Sequence, residues 1–245
     1  DFTVEGSHRN IALLKSKDSS LKEAIGKSLK SSESGLLLKT IYYFESESVE
    51  HIPLSNAARL NADIESSQAV LQDLIQMGQR FCSNCAFNSS SSENSMNDYF
   101  RDLLFIKGYT EVKDQTRHGL SVNKKDSAEV DILLTKDGKE IAIYEGLKLS
   151  SVSTTYIDTH ISKAVVNYNA LGTSTFIVAY VDVSDFDSFW NRYVSYLQSY
   201  SFPILVKSPI EASPYPNAAT RVASTILSRD DYDFPVYFVA FKIPR

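Results

Sequence analysis

Between Ala128 and Lys148 (AEVDILLTKDGKEIAIYEGLK), Glu129, Asp131 and Leu133 alternate with Val130, Ile132 and Leu134. This is the two-residue period of a strand whose faces differ. Asp137-Gly138 follows inside the turn Lys136–Lys139, and a tight hairpin needs the positive φ that glycine adopts cheaply. Glu140 to Leu147 then reads as a second strand, apolar until Glu145. Elsewhere the apolar period is helical. Ser55 to Arg80 is predicted as one long helix with the stripe Ala58, Leu60, Ile64, Val70, Leu71, Leu74 and Ile75. Shorter helices are predicted from Asp18 to about Ser31, Ser95 to Lys107, Ser153 to Asn169, Asp185 to Tyr200 and Asn217 to Ser228. Apolar runs at Gly35–Phe44, Tyr109–Val112, Ser174–Val181, Phe202–Val206 and Phe234–Ile243 read as strands. Strands and helices in this alternation predict an α/β protein, a mixed central sheet flanked by helices.

Ser83–Asn94 (SNCAFNSSSSEN) contains a serine run too polar to pack, and it reads as a loop or linker. A boundary here would divide the chain into a smaller α+β N-terminal region, residues 1–92, for recognition, assembly or positioning, and a main domain, 93–245. The long helix could belong to either side. The basic stretch Lys113–Ser127 (KDQTRHGLSVNKKDS) reads as a loop leading into the hairpin.

Composition narrows the class. At 245 residues the chain can bury a full core, and 43% hydrophobic with 22% charged residues is the balance of a globular protein rather than a disordered one. No apolar run approaches the roughly 18 residues of a membrane span. No secretory pattern opens the chain, so a cytoplasmic location is expected. The chain starts at Asp1 without Met, as a piece of a longer protein would. A net charge of −5 and pI near 5.4 argue against a broad nucleic-acid surface, so any such contact must use a local basic patch. Cys82 and Cys85 form a lone Cys-x-x-Cys with no second ligand pair at zinc spacing, and two ordinary thiols in a reducing cytosol are the expectation. There is no nucleophile-elbow pattern, and the nine glycines form no phosphate-binding loop.

The chemistry concentrates in the hairpin. A carboxylate buried without a partner costs several kcal/mol, on the order of 2–7 even for a neutral polar group. Two of them on neighbouring strands, Asp131 and Glu145, therefore call for a counter-charge, most simply a metal ion. From Ser95 to Asp182 the expected order is helix, strand, strand, strand, helix, strand, with one acid on the second strand and one on the third. That order and those acids resemble the restriction-endonuclease-like core of the PD-(D/E)XK nuclease superfamily, over roughly a third of the chain. The resemblance implies a Mg²⁺-dependent endonuclease, with Mn²⁺ able to substitute, that hydrolyses DNA phosphodiester bonds. Asp131 and Glu145 would hold the metal, and a lysine near the second acid would orient or activate water. It further implies bacterial restriction or antiphage defence, with cutting controlled by a partner subunit, a partner domain or homo-oligomerisation.

The lysine departs from the family pattern. Acid-x-Lys puts both side chains on one strand face, whereas Glu145 is followed by Gly146, Leu147 and then Lys148. A β-bulge at Gly146 would return Lys148 to the face of Glu145. Alternatively Lys163, on the next helix with His160 and Tyr168 near it in register, supplies the amine. Without either lysine the domain would be an inactive nuclease fold that binds nucleic acid or protein. Glu129 is a further ligand or a solvated strand start, and Glu93, Asn97 and Asp98 are an additional acidic position or ordinary helix-start residues. Arg117, His118, Lys124 and Lys125 are the basic residues placed to meet phosphate, as is Lys163, against the alternative of a solvated loop. The aromatic residues Phe186, Phe189, Trp190, Tyr193, Tyr196 and Tyr200 recur at helical spacing and are expected in the core.

Overall fold

A computed structural model describes residues 8–31, 35, 37–41, 55–120, 127–136 and 138–244, with backbone only for 8–11, 110 to 120 and 127–130. The chain forms two units, Asp1–Ile52 and Pro53–Arg245. The first contains helices α1 (His8–Ser16) and α2 (Asp18–Ser31). Gly35 and residues 37–41 carry no strand, so within the described residues the strand expected there is not formed. The second unit opens with α3 (Asn56–Cys82), which starts where Ser55 Oγ accepts from the Ala58 N–H, and α4 (Glu93–Ile106), capped in the same way by Ser92 from Ser95 N–H. Both belong to this unit because they pack on its sheet, so the serine run joins two packed helices instead of dividing units.

The next elements are β1 (Thr110–Leu120), β2 (Ser127–Lys136), β3 (Lys139–Leu149) and α5 (Thr154–Ser162), which continues as a π-helix, Lys163–Tyr168. There follow β4 (Thr175–Val181), α6 (Phe186–Ser199), β5 (Leu205–Val206), β6 (Glu211–Ala212), β7 (Thr220–Arg229) and β8 (Tyr232–Lys242). The sheet order is β1-β2-β3-β4-β8-β7-β5, with β6 also on β7. β3, β4 and β8 run parallel and the other pairings are antiparallel, so the sheet is mixed. Central β4 is buried at every position: Phe176, Val178 and Tyr180 meet the α3–α4 layer, while Ile177, Ala179 and Val181 meet α5 and α6. A strand covered on both faces reads as a continuous apolar run, which is why TFIVAYV was legible. Among the described residues no helix is long and apolar enough to cross a membrane.

Two expected elements are corrected. The helix expected over Asn217–Ser228 is the strand β7, paired residue for residue with β8 from Thr220↔Phe241 to Arg229↔Tyr232. Its two turn residues, Asp230 and Asp231, have φ of 49° and 62°, the left-handed geometry of a tight hairpin that aspartate tolerates better than most residues. Phe202–Val206 shortens to the two residues of β5. The basic loop is also partly strand: Arg117 and His118 lie on β1, with Arg117 opposite Glu129 of β2, while Lys124 and Lys125 fall outside the described residues. A strand as polar as β1 is tolerated because it is the sheet edge and has a neighbour on one side alone.

α3 crosses β8 closely at Gly78, where an added Cβ would lie 2.0 Å from Cε1 of the Phe241 ring. Phe241 is fully buried against Phe81 and Phe100, beside its strand partner Tyr180, so the ring has little room to give. Gly78→Ala is expected to destabilise the fold by about 1–3 kcal/mol, read from urea denaturation. A loss below about 0.5 kcal/mol would show that the ring yields and the crossing is not tight.

Candidate active site

The sheet forks at Tyr144. β2 pairs with β3 from Lys136↔Lys139 to Ile132↔Tyr144, yet stays with β1 as far as Ser127↔Leu120. β3 instead runs on beside β4 to Leu149↔Val181. Beyond the fork the backbone N–H groups of β3 need other acceptors, since an unmade buried hydrogen bond costs about 1–3 kcal/mol. Two carboxylates supply them. Gly146 N–H donates to Asp131 Oδ2 at 2.8 Å, and Lys148 N–H donates to Glu93 Oε2 at 2.8 Å. Asp131 is the first residue of β2 past its last pair with β3, Ile132↔Tyr144, and Glu93 arrives from the first turn of α4.

Asp131 and Glu145 share one face of the sheet. Leu133, two residues from Asp131, and Ile143, two residues from Glu145, both pack on Tyr168 of the π-helix. Glu145 is 1% exposed; its Oε1 lies 2.7 Å from Nδ1 of His160 on α5, and its Oε2 is buried without a hydrogen-bond partner among the described residues. Tyr156, one helical turn before His160, packs its ring at a steep angle to the imidazole and donates its hydroxyl to Glu93 Oε2 at 2.7 Å. One face of α5 thus holds Tyr156 and His160 against the acids. Lys163 begins the π-helix that follows, and its charge reaches both Glu145 and His160.

Burial dominates the electrostatics of both acids. Burial first, and then the neighbouring Glu145, push Asp131 up to about 7, with the Gly146 N–H opposing and Glu93 adding to the rise. Burial likewise raises Glu145 to about 8, against the pull of Lys163 and with Glu93 adding to it. The His160 imidazole is held below its ordinary value, by burial and then by Lys163, although Glu93 and Asp131 act the other way.

Lys148 lies on the opposite face. The register of β3 with β4 is unbroken from Ile143↔Thr175 to Leu149↔Val181, so Gly146 makes no bulge and alternation is kept. Glycine is required for another reason: a Cβ at 146 would sit 2.1 Å from Asn97 Oδ1 of α4. Asn97 accepts there from the Tyr180 hydroxyl, which is itself bonded to Tyr144 in a buried network. The Lys148 amine donates to the carbonyls of Ser89 (2.5 Å) and Ser91 (2.8 Å), fastening the serine run to the sheet. Asp98 turns away to pair with Arg101. Of the backbone-described residues, Glu129 lies further along β2 beyond the fork, and Arg117 and His118 on β1.

The acids present a definite donor set. Asp131 Oδ2 accepts from Gly146 and Glu145 Oε1 meets His160, while Glu145 Oε2 has no hydrogen-bond partner among the described residues. Among the described residues no group of three or more His, Cys, Asp and Glu is placed to hold a metal ion. Mg²⁺ asks for less: it is commonly held by one or two carboxylates, with water and substrate phosphate filling the octahedron. The buried, partnerless Glu145 Oε2 beside Asp131 fits that demand. Cys82 and Cys85 are the chain's two thiols. Both are free, and burial pushes Cys82, which donates to the Ala219 carbonyl, up to about 12.

Sequence reasoning brought Asp131, Glu145 and Lys163 together as neighbours but left Tyr156 out. Its only signal was the four-residue spacing to His160, which marks one helix face. Comparison with protein-family models, curated proteins and solved structures finds no match.

Proposed function

We propose that the chain is a metal-dependent endonuclease of the PD-(D/E)XK, restriction-endonuclease-like kind that hydrolyses DNA phosphodiester bonds. The observation that carries this reading is the partnerless Oε2 of Glu145, buried at the fork on the face it shares with Asp131. An oxygen so placed is stable when a cation completes it. Bound Mg²⁺, or Mn²⁺ in its stead, would polarise the scissile phosphate and lower the pKa of water beside it. Asp131 and Glu145 would each give one oxygen to the ion. Lys163, whose charge already reaches Glu145, is the amine we assign to orienting the attacking water. Attack at phosphorus breaks its bond to the departing sugar oxygen. Arg117 and His118 on the edge strand and Lys125 are assigned to phosphate contact. DNA as substrate, bacterial antiphage or restriction biology and a cytoplasmic setting rest on the resemblance of the element order and acids to that superfamily. The net charge of −5 favours cutting that depends on a partner subunit or a second copy.

One observation favours a rival reading, an inactive nuclease fold used for nucleic-acid or protein interaction: the Lys148 amine is spent on two carbonyls. Cleavage of supercoiled plasmid with varied Mg²⁺ and Mn²⁺ separates the two. Lys163→Ala is expected to slow cutting about 10²-fold or more, within the range of a positioned proton-transfer or orienting group. Lys148→Ala should keep the rate within about tenfold of wild type and instead make the serine run more open to protease. Full activity in Lys163→Ala would refute the lysine assignment, and no cutting or metal binding by the wild type would leave the interaction module.

A further inference from the structure

Given a metal ion held by Asp131 and Glu145, on which the nuclease reading and this inference both rest, His160 does more than line the fork. Its Nδ1 shares one proton with Glu145 Oε1 at 2.7 Å, in a place where Glu145 is 1% exposed, so that oxygen cannot turn away to a solvent partner. The ring is held in this orientation by Tyr156, whose ring packs across it at 4.4 Å between centroids and 65° and whose hydroxyl is tied to Glu93. Glu93 is anchored in turn on the Lys148 N–H, part of the sheet itself. Glu145 is thereby divided into one oxygen bonded to His160 and one that is buried without a partner among the described residues. On the other strand Asp131 Oδ2 accepts from the Gly146 N–H.

Coordination chemistry makes this division matter. Mg²⁺ and Mn²⁺ are content with single oxygens from one or two carboxylates, at about 2.0–2.1 Å for Mg²⁺, and keep several waters. Ca²⁺ takes 6–8 oxygens at roughly 2.3–2.6 Å and gains from carboxylates that bind through both oxygens. We infer that His160 is a specificity-determining residue: by occupying Oε1 it makes Glu145 a one-oxygen ligand, and so selects a small octahedral divalent cation against Ca²⁺. The role belongs to the hydrogen bond and its geometry, and a residue that keeps a donor near the position of Nδ1 should keep the selectivity.

The test is calorimetric titration of Mg²⁺, Mn²⁺ and Ca²⁺ into wild type, His160→Leu and His160→Asn. Wild type is expected to prefer Mg²⁺ or Mn²⁺ over Ca²⁺. His160→Leu, which frees Oε1, should move the ratio of Ca²⁺ to Mg²⁺ affinity by about tenfold or more toward Ca²⁺, and His160→Asn, whose amide can still donate, should leave it near wild type. A loosened site would weaken all three ions together. An unchanged ratio in His160→Leu, with metal still bound, overturns the inference and leaves the nuclease reading standing. Should His160→Leu not fold, the carboxylate stretching bands of Ca²⁺-loaded wild type decide. The band lost in Glu145→Gln is expected at the wide separation of one-oxygen coordination, and the narrow separation of two-oxygen coordination would refute the idea. A wild type that binds no divalent cation overturns both this inference and the reading beneath it.

Discussion

Asp131→Asn and Glu145→Gln are each expected to abolish metal-dependent cleavage, with the rate down about 10³-fold or more, while the protein stays folded. The size follows from what the ion supplies: several kcal/mol of transition-state stabilisation, at about 1.4 kcal/mol per tenfold. Each amide replaces the charge that attracts the cation but preserves the local bonding. Asparagine at 131 can still accept from the Gly146 N–H, and glutamine at 145 can still meet His160. Alanine at 131 would be a poorer probe, since it leaves that N–H without an acceptor where β2 has already departed. Plasmid cleavage and Mg²⁺ calorimetry on both variants, with circular dichroism to check the fold, form the measurement. Cutting that persists in either variant would exclude that residue from the metal site and with it the proposed chemistry.

The metal-free protein should lose stability as the pH rises from about 4 to about 8, and Glu145→Gln should remove about half of that slope, the remainder belonging to Asp131. The sign follows from proton uptake. Glu145 is raised from 4.5 to about 8 and Asp131 from 3.8 to about 7, both chiefly by burial. Between those limits the folded chain holds protons that the unfolded chain has released, so each step up in pH favours unfolding. The contribution of these carboxyls is fully present below about 4 and gone once the pH has passed their folded values. For Glu145 the whole span is worth on the order of 4–5 kcal/mol, a large share of the 5–15 kcal/mol typical of a domain. Urea denaturation in chelator at pH 5, 7 and 9 reads it directly. The ion should reverse the trend: added Mg²⁺ should stabilise wild type more at pH 9 than at pH 5, because it binds the ionised acids. Parallel pH curves for wild type and Glu145→Gln would show that Glu145 ionises as freely in the fold as outside it.

Legibility tracked how local each interaction is. The hairpin of β2 and β3 could be read because alternation and Asp137-Gly138 are local signals, and α3 through its apolar stripe. β7 could not: its residues Ala223, Thr225 and Leu227 suit a helix as well as a strand, and its strand state is set by the long ladder to β8. A bulge at Gly146 is one of two ways the sequence offers to bring a lysine to Glu145, the other being Lys163, and the strand makes no bulge there. The approach of Asn97, 49 positions earlier in the chain, is the reason for a glycine at 146, and no local pattern encodes that. Lys148 then falls where strict alternation puts it, on the side of Ser89 and Ser91.

By itself the sequence determined that this is an α/β protein and that two acids stand on adjacent strands, because periodicity and turn chemistry act within a few residues of each position. Tertiary structure alone decided the rest. It parted β2 from β3 at Tyr144, drew Glu93 and Asp131 onto the freed N–H groups, and brought His160 to one oxygen of Glu145 while the other has no partner among the described residues. Those outcomes depend on where a strand loses its neighbour and which helix then covers the gap, and both are settled by packing between elements distant in the chain.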